Sequence, residues 1–399
     1  MSTIEKHDMT QGKILLPLVS FTIPLVLGNL FQLTYNAADS VIVGKYVGEQ
    51  ALAAVGTSTP IMNIAILLIS GMCMGASVLM SSQYGAKDYD TLSRQISTTM
   101  LAGCGFSVVF SLLMLLLANP VLRLIRVPET AIPEAAAYLR IIFMGLIFTF
   151  MYNFLANTMR ALGDSKTPLY FLVTSAFLNI FGDLFFVVVL RWGVAGSAIA
   201  TVCSEGLCCL LCGIYIKKKI PLLCLGKKWW VFDKSLLGKT VSYGSTSAMQ
   251  QVCLQLGKLI IQSVVNTQGV AVMAAFTAVN RVDDFAYTPQ QNIGHAMTTF
   301  LAQNKGAGHK ERMKKGFQTG LLIELVYSIG LFCVIWGLAP QIMTLFAEDG
   351  DAQVVSLGIS YLHLISWMYI LPGLTNGVQG FFRGIGDLKV TLYSTFMNM

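Results

Sequence analysis

Charge is what this sequence has least of. Only 12% of its 399 residues are Asp, Glu, Lys or Arg, against roughly 25% in ordinary soluble domains. Histidine is scarcer still: His7, His295, His309 and His363 are scattered, with no pair at the spacing a metal site needs. A complete P-loop is also missing, because Asp233 stands where the Gly-Lys-Thr at 238–240 needs an upstream glycine. These absences speak against an enzyme, against nucleotide-driven transport and against a bound cofactor. The polar lead MSTIEKHDMTQGK does not read as a cleaved signal, since the apolar stretch after it is too long for one, and lipidation motifs are lacking. Of nine cysteines, eight lie inside apolar segments as small packing residues. Cys209 and Cys212 form a CxxC without the second pair or nearby histidine that zinc requires.

What is present is hydrocarbon, 55% of the residues. Apolar segments run at about 14–38, 51–81, 92–118, 133–159, 168–190, 194–216, 241–265, 270–301, 316–339 and 353–380, and an eleventh begins near 388. Most exceed the roughly 20 residues that cross a bilayer. The pattern predicts an all-α polytopic membrane protein. With the N-terminus and every even loop on one side, that side holds 20 Lys and Arg and the other only 4. This asymmetry predicts a cytoplasmic N-terminus in an inner or plasma membrane. Basic residues grouped between apolar segments form no nucleic-acid patch.

The chain also repeats itself. RALGDSKTP at Arg160 returns as RGIGDLKVT at Arg383, an offset of 223, and GEQALAAVG at Gly48 returns as GVAVMAAFT at Gly269, an offset of 221. Gln83 with Gly85-Ala86 matches Gln303 with Gly306-Ala307, and Tyr138-Leu139 matches Tyr361-Leu362. Four pairs in one order at a near-constant offset predict a duplication. Six spans per copy put both copies in the same orientation, giving two pseudo-symmetric six-helix lobes. The expected organisation is an N-terminal lobe at 1–216, a basic cytoplasmic linker at 217–239 and a C-terminal lobe at 240–399, the second lobe cut off in span 11.

Ionisable residues inside a membrane are functional candidates, because each is costly unless paired or hydrated. The first half holds Asp39, Asp183 and Glu205. Asn179 and Asp183, four apart, share one helix face. Thr201 lies mid-span, and Asn153 and Asn157 are four apart in span four. Carboxylate, amide and hydroxyl oxygens suit a hard cation such as sodium, and desolvated carboxylates suit proton carriage. The competing readings are an interfacial Asp39 capping span one, interhelical hydrogen bonding by Asp183, Asn153, Asn179 and Thr201, and a structural Glu205. Pro24 is expected to kink helix one, either for shape or as a switch coupled to Asp39. In the second half, Asn153 recurs as Asn376, but the place of Asp39 falls at Ile260. Asp283 and Asp284 stand close to Arg281, which suggests a local ion-pair network or an auxiliary cation contact. Lys258 and Glu324 complete that half's charges within spans.

Pro24, NAADSVIVGKYVG in span one, QYGAKD after span two, RALGDSKTP after span four and LNIFGD in span five together resemble the multidrug and toxic compound extrusion (MATE) transporters. The resemblance extends to the bacterial branch of DNA-damage-inducible protein F. It implies twelve helices in two lobes and export of mostly cationic organic compounds in exchange for sodium or proton entry. Its partners would be small organic molecules and the lipid bilayer, and the chain is expected to be monomeric. The resemblance places the cation site at the residues matching Asp39, Asn153, Asn179, Asp183 and Thr201. Sodium, if it is the ion, would sit at Asp39, Asn179, Asp183 and Thr201. Pro24, Asn157, Glu205, Asn376, Asp283 and Asp284 are auxiliary candidates. The alternative is a flippase of lipid-linked saccharides or another amphiphile from the same superfamily, for which several cationic cavity residues would be expected.

Overall fold

A computed structural model describes residues 8–125, 127–220, 230–346 and 352–397. The middle of the basic linker, 221–229, lies outside the described residues, as do Lys6, Arg126, Lys227 and Lys228 of the loop-charge count. All regular structure among the described residues is helical. In hydrocarbon no water satisfies the backbone, and a helix closes those hydrogen bonds within one segment. The helices are α1 (Leu15–Tyr46), α2 (Glu49–Gly85), α3 (Tyr89–Leu124), α4 (Ile132–Met144), α5 (Leu146–Ala161), α6 (Lys166–Asp183), α7 (Gly193–Lys219), α8 (Lys234–Val265), α9 (Val270–Gly306), α10 (Lys310–Phe346), α11 (Ala352–Ser366), α12 (Ile370–Gly384) and α13 (Leu388–Met397). A π-helical turn, Leu184–Val189, continues α6, and a 3-10 turn, Trp367–Tyr369, joins α11 to α12.

Two of the predicted spans are broken. The fourth is α4 and α5, bent by 47° at Gly145. There α7 presses close: a Cβ on Gly145 would lie 2.4 Å from Val202 Cγ2. The tenth is interrupted by the 3-10 turn. Pro372, early in α12, has no N–H to offer the carbonyl of Met368 four residues back, which weakens the α-helical ladder at that turn. Among the described residues, seven helices, or eight spans with the bent pair, are long and apolar enough to cross a membrane. α8 and α9 have the length, 32 and 37 residues, but carry too many polar groups, among them Gln250, Gln255, Lys258, Gln262, Arg281, Asp283, Asp284 and Gln290.

Burial is inverted relative to a soluble helix. On α3, Gln95, Ser97, Thr98 and Ser107 are buried, while Val109, Leu112 and Leu116 are 67%, 57% and 78% exposed. Polar groups find partners inside, and aliphatic ones face where lipid would be.

The duplication reappears in the element boundaries. α2 and α9 are both 37 residues long and lie 221 residues apart. Gly163 and Gly386, 223 apart, both take left-handed backbone (φ 91 and 84) at the ends of α5 and α12, the conformation that glycine adopts at low cost. Asp164 then accepts from the amides of Lys166 and Thr167 at 3.1 and 3.0 Å, opening α6.

The chain forms two compact units, one built on Leu27–Ala248 and the other on Met9–Val26 with Met249–Met399. The first has a core of buried residues including Ile69, Leu92, Leu139, Phe143, Phe150, Phe154 and Met159. In the second, Met9, Leu18, Phe21 and Leu25 pack on Ile293, Met297, Phe300 and Leu301. Arg312 ties down the segment before α1: its guanidinium donates to the carbonyls of Met9, Gln11 and Gly12 and lies over the ring of Phe300.

Candidate functional site

The site is organised by α7 of the first unit. Ser197, Thr201 and Glu205 recur every four residues, so they form one stripe along that helix. Each engages a different neighbour. Ser197 Oγ donates to Asp39 Oδ1 on α1 at 2.6 Å. Thr201 Oγ1 accepts from Asn179 Nδ2 on α6 at 3.2 Å. Glu205 Oε2 accepts from Thr149 Oγ1 on α5 at 2.5 Å. Two glycines let the backbones come close enough for these contacts. A Cβ on Gly182 would lie 2.9 Å from Ala200 Cβ, and one on Gly196 would lie 3.0 Å from the backbone of Phe186.

Asp39 is inside α1, which runs on to Tyr46. It therefore does not cap the helix end, and its carboxyl turns to α7. Asp183 closes α6, where the hydrogen-bond ladder widens into the π-helical turn, a distortion common at functional sites. Asp183 is fully buried, neither of its carboxyl oxygens meets a donor, and the Asn179 Oδ1 is orphaned beside it. The carboxyls of Asp39 and Asp183 lie close enough to feel each other's charge. Two carboxylates in one site repel, and a shared proton or a bound cation relieves them. The orphaned oxygens of Asp183 and Asn179 are hard acceptors, so this donor set fits either. Tyr35 and Tyr138 lie within electrostatic reach of Asp39 and Glu205. Val43, Val55, Tyr138, Ile142, Val194 and Ala198 form a buried apolar cluster on the helices that carry the site.

Asp39, Asn179, Asp183, Thr201 and Glu205 thus lie along one polar seam, but Asn153 does not reach the aspartate pair. Its amide donates to the carbonyl of Thr149 at 2.9 Å, and that of Asn157 to the carbonyl of Asn153 at 2.9 Å, both within α5. Pro24 sits inside an uninterrupted α1, just before the chain passes from one unit to the other. Ser197 and Thr149 were missed by sequence reasoning. The four-residue beat from Ser197 through Thr201 to Glu205 was the available signal for the first, and nothing local marked the second.

In the second unit the expected network around Arg281 does not form. Asp284 pairs instead with Lys258 at 3.2 Å, and Asp283 takes the hydroxyl of Tyr369. The other helices supply better-placed partners than the neighbouring turn of α9. Asn376 is buried with its Nδ2 unpartnered. Among the described residues no cluster of His, Cys, Asp and Glu could hold a metal ion by those side chains alone.

Both halves of the chain match the MatE family model, over residues 24–185 and 247–399. The probable multidrug resistance protein YpnP of Bacillus subtilis (strain 168) is 32% identical over 392 residues, covering 98% of this chain and 86% of that protein. The probable multidrug resistance protein YoeA of the same organism is 29% identical over 386 residues, covering 94% and 82%. A crystal structure of MATE in the straight conformation superposes with a TM-score of 0.91 at 22% identity, covering 99% of this chain and 88% of that one. A fold shared at that level, a family match across both duplicated halves and a relative 32% identical over nearly the whole chain agree. The chain is a multi-pass membrane protein, not an enzyme, and belongs to the MatE family of transporters.

Proposed function

We propose that the protein is a secondary active exporter of small, mostly cationic organic compounds, driven by a proton or sodium ion entering at the Asp39–Asp183 pair. The single observation that carries this reading is the buried carboxyl pair, in which Asp183 has no donor of its own. Such a pair has a gap that one positive charge fills, and an exporter needs a group whose charge state alternates. The printed names of YpnP and YoeA support the substrate class. The loop-charge asymmetry supports a cytoplasmic N-terminus, with the ion arriving from outside. Assignment to the branch of DNA-damage-inducible protein F rests on the sequence motifs alone.

The test is efflux of a fluorescent organic cation from proteoliposomes under an imposed sodium or proton gradient. One gradient should drive efflux, and Asp39→Asn and Asp183→Asn should each abolish the coupling while leaving substrate binding measurable. Gradient-driven efflux that survives both substitutions would sink the assignment of the ion to this pair. Movement of a lipid-linked saccharide with no drug efflux would favour the flippase reading instead.

A further inference from the structure

The internal duplication allows each place in the second unit to be compared with its counterpart in the first. The offset is 221 for α2 against α9 and for α3 against α10, judged by Glu49 and Val270, Tyr89 and Lys310. It is 223 for α5 against α12, judged by Asn153 and Asn376. One place differs in kind. In the first unit Ile69, Gly103 and Phe150 meet in a dry core. Ile69 is 0% exposed and Phe150 1%, and the ring fills the space over Gly103, where a Cβ would lie 1.9 Å from Phe150 Cζ. The same three places in the second unit are Gln290, Glu324 and Gly373. The ring has become a glycine, the glycine has become a glutamate, and an aliphatic wall has become an amide.

The resulting pocket is polar, closed and incomplete. Glu324 is 0% exposed, and neither carboxyl oxygen has a hydrogen-bond partner. Gln290 donates through Nε2 to Ser328 Oγ at 3.0 Å and to the Tyr369 carbonyl at 2.8 Å, leaving its own Oε1 buried and unpartnered. A Cβ on Gly373 would stand 3.4 Å from Glu324 Oε2, 3.2 Å from Gln290 Nε2 and 2.7 Å from Ser328 Oγ. The glycine therefore makes room chiefly for Ser328, the hydroxyl that receives Gln290 beside the acid.

The titratable groups nearest the pocket on the packed elements pair or lie elsewhere. On α9, Asp283 takes the Tyr369 hydroxyl, Tyr287 lies by Arg383, and His295 is more than a turn beyond Gln290. On α11, Tyr361 and His363 stack on Phe276 and Trp336. Arg383 on α12 is about 9 Å further along the axis than Gly377, where an added Cβ would lie 3.8 Å from Glu324 Cγ. Tyr327, on α10 itself, lies within electrostatic reach of Glu324 but donates its hydroxyl to the Ala286 carbonyl at 3.0 Å.

An ionised carboxylate with neither donor nor counter-charge is the costliest occupant of such a pocket, whereas the neutral acid fits. Three orphaned oxygens with no second acid beside them suit one proton held on Glu324, with Gln290 Oε1 the other orphaned acceptor of the pocket, better than a metal ion. We propose that Glu324 is a proton-binding site of the second unit, separate from the Asp39–Asp183 pair. It takes one proton from water, keeps it while the pocket is closed as in this structure, and returns it when water enters.

Infrared spectroscopy of the purified full-length chain at neutral pH tests this directly. A carboxylic-acid C=O band of one group per chain should be lost in Glu324→Gln, a near-isosteric mimic of the neutral acid. Gln290→Leu, which removes the acceptor, should leave the band present but shift it to higher frequency. That second variant serves as the readout if Glu324→Gln fails to fold. An unchanged acid band in folded Glu324→Gln overturns the proposal, as does an unshifted band in Gln290→Leu. Stoichiometric binding of radioactive sodium that disappears in Glu324→Gln overturns it in favour of a metal site. None of these readings depends on whether Asp39 and Asp183 couple transport.

Discussion

Replacing Gly182 by Ala drives a methyl group into α7. The added Cβ would lie 2.9 Å from Ala200 Cβ and 3.3 Å from Ala200 Cα. Carbon atoms settle at roughly 3.5–4.0 Å, so the helices must part there by about 0.6–1 Å. One turn earlier, the Asn179–Thr201 hydrogen bond spans 3.2 Å. Lengthening it by even about 0.5 Å takes it past the distance at which such a contact still counts as a hydrogen bond. Overpacking costs about 1–3 kcal/mol and the lost bond about 1 kcal/mol more. At roughly 2–4 °C per kcal/mol for a unit of this size, the thermal midpoint in detergent should fall by about 4–16 °C, and gradient-driven efflux should fall with it. Adding Ala200→Gly removes the opposing methyl. The double variant should recover most of the loss, less about 1 kcal/mol for glycine in a helix. If Gly182→Ala melts with the unsubstituted protein, or if Ala200→Gly restores nothing, the close α6–α7 contact is not what holds the site together.

Arg312→Ala removes the guanidinium that holds residues 9–12 in place, with bonds of 3.1, 2.7 and 2.6 Å to the carbonyls of Met9, Gln11 and Gly12. Limited proteolysis before α1 should accelerate, and Arg312→Lys should protect little, because an ammonium cannot reach three carbonyls as a fork does. Asp88 caps α3 by accepting from the Thr91 amide at 3.1 Å, and hydrogen bonding from the Thr91 side chain, then its amide, holds the carboxyl below the usual carboxylate range. Its capping contribution is therefore complete above an unfolded value of about 4 and fades as pH falls through the lower folded value. Asp88→Asn should flatten that part of the pH–stability curve, while Asp88→Ala should cost about 1 kcal/mol at neutral pH. Thermal melts across pH 3–7 distinguish the three proteins.

Much of the architecture was legible because hydrocarbon leaves the chain few choices. Every apolar segment became a helix or a broken helix pair, and the repeated RALGDSKTP and RGIGDLKVT stretches end helices at Gly163 and Gly386. The breaks were not legible where they depended on a neighbour: Gly145 bends against Val202, a contact between residues 57 positions apart. In the candidate site, Asp39, Asn179, Asp183 and Thr201 were readable as costly polar groups in apolar runs. Ser197 and Thr149 were not, because a hydroxyl in a membrane helix usually satisfies itself on its own backbone, as Thr174 does on Tyr170. The Arg281 network was misjudged for a related reason. Sequence proximity put Arg281 beside Asp283 and Asp284, but tertiary packing offered them Tyr369 and Lys258.

The duplicated scaffold carries its acids in different places, and this can be tested by moving one solution into the other unit. The place of Asp39 is taken in the second unit by Ile260, which is 62% exposed, so that unit keeps no carboxyl there. Its own acid, Glu324, occupies the place of Gly103, and Gly373 occupies that of Phe150. Gly373→Phe alone drives a ring onto Ser328 Oγ, Gln290 Nε2 and Glu324 Oε2, all within 3.4 Å of the first added atom, and should destabilise by more than the usual ~1–3 kcal/mol of overpacking. Glu324→Gly alone empties a buried site and adds a helical glycine, at about 1 kcal/mol for the glycine plus about 24 cal/mol for each Å3 of cavity. Glu324→Gly with Gly373→Phe rebuilds the pairing that Gly103 and Phe150 make in the first unit. The double variant should therefore be more stable than either single one, with a coupling energy of about 0.5–3 kcal/mol in denaturant melts. Adding Gln290→Ile, the counterpart of Ile69, should help further by removing the stranded amide. Strict additivity of the two singles would mean that the units share their helix order but not their packing, and would remove the ground for comparing Glu324 with Gly103.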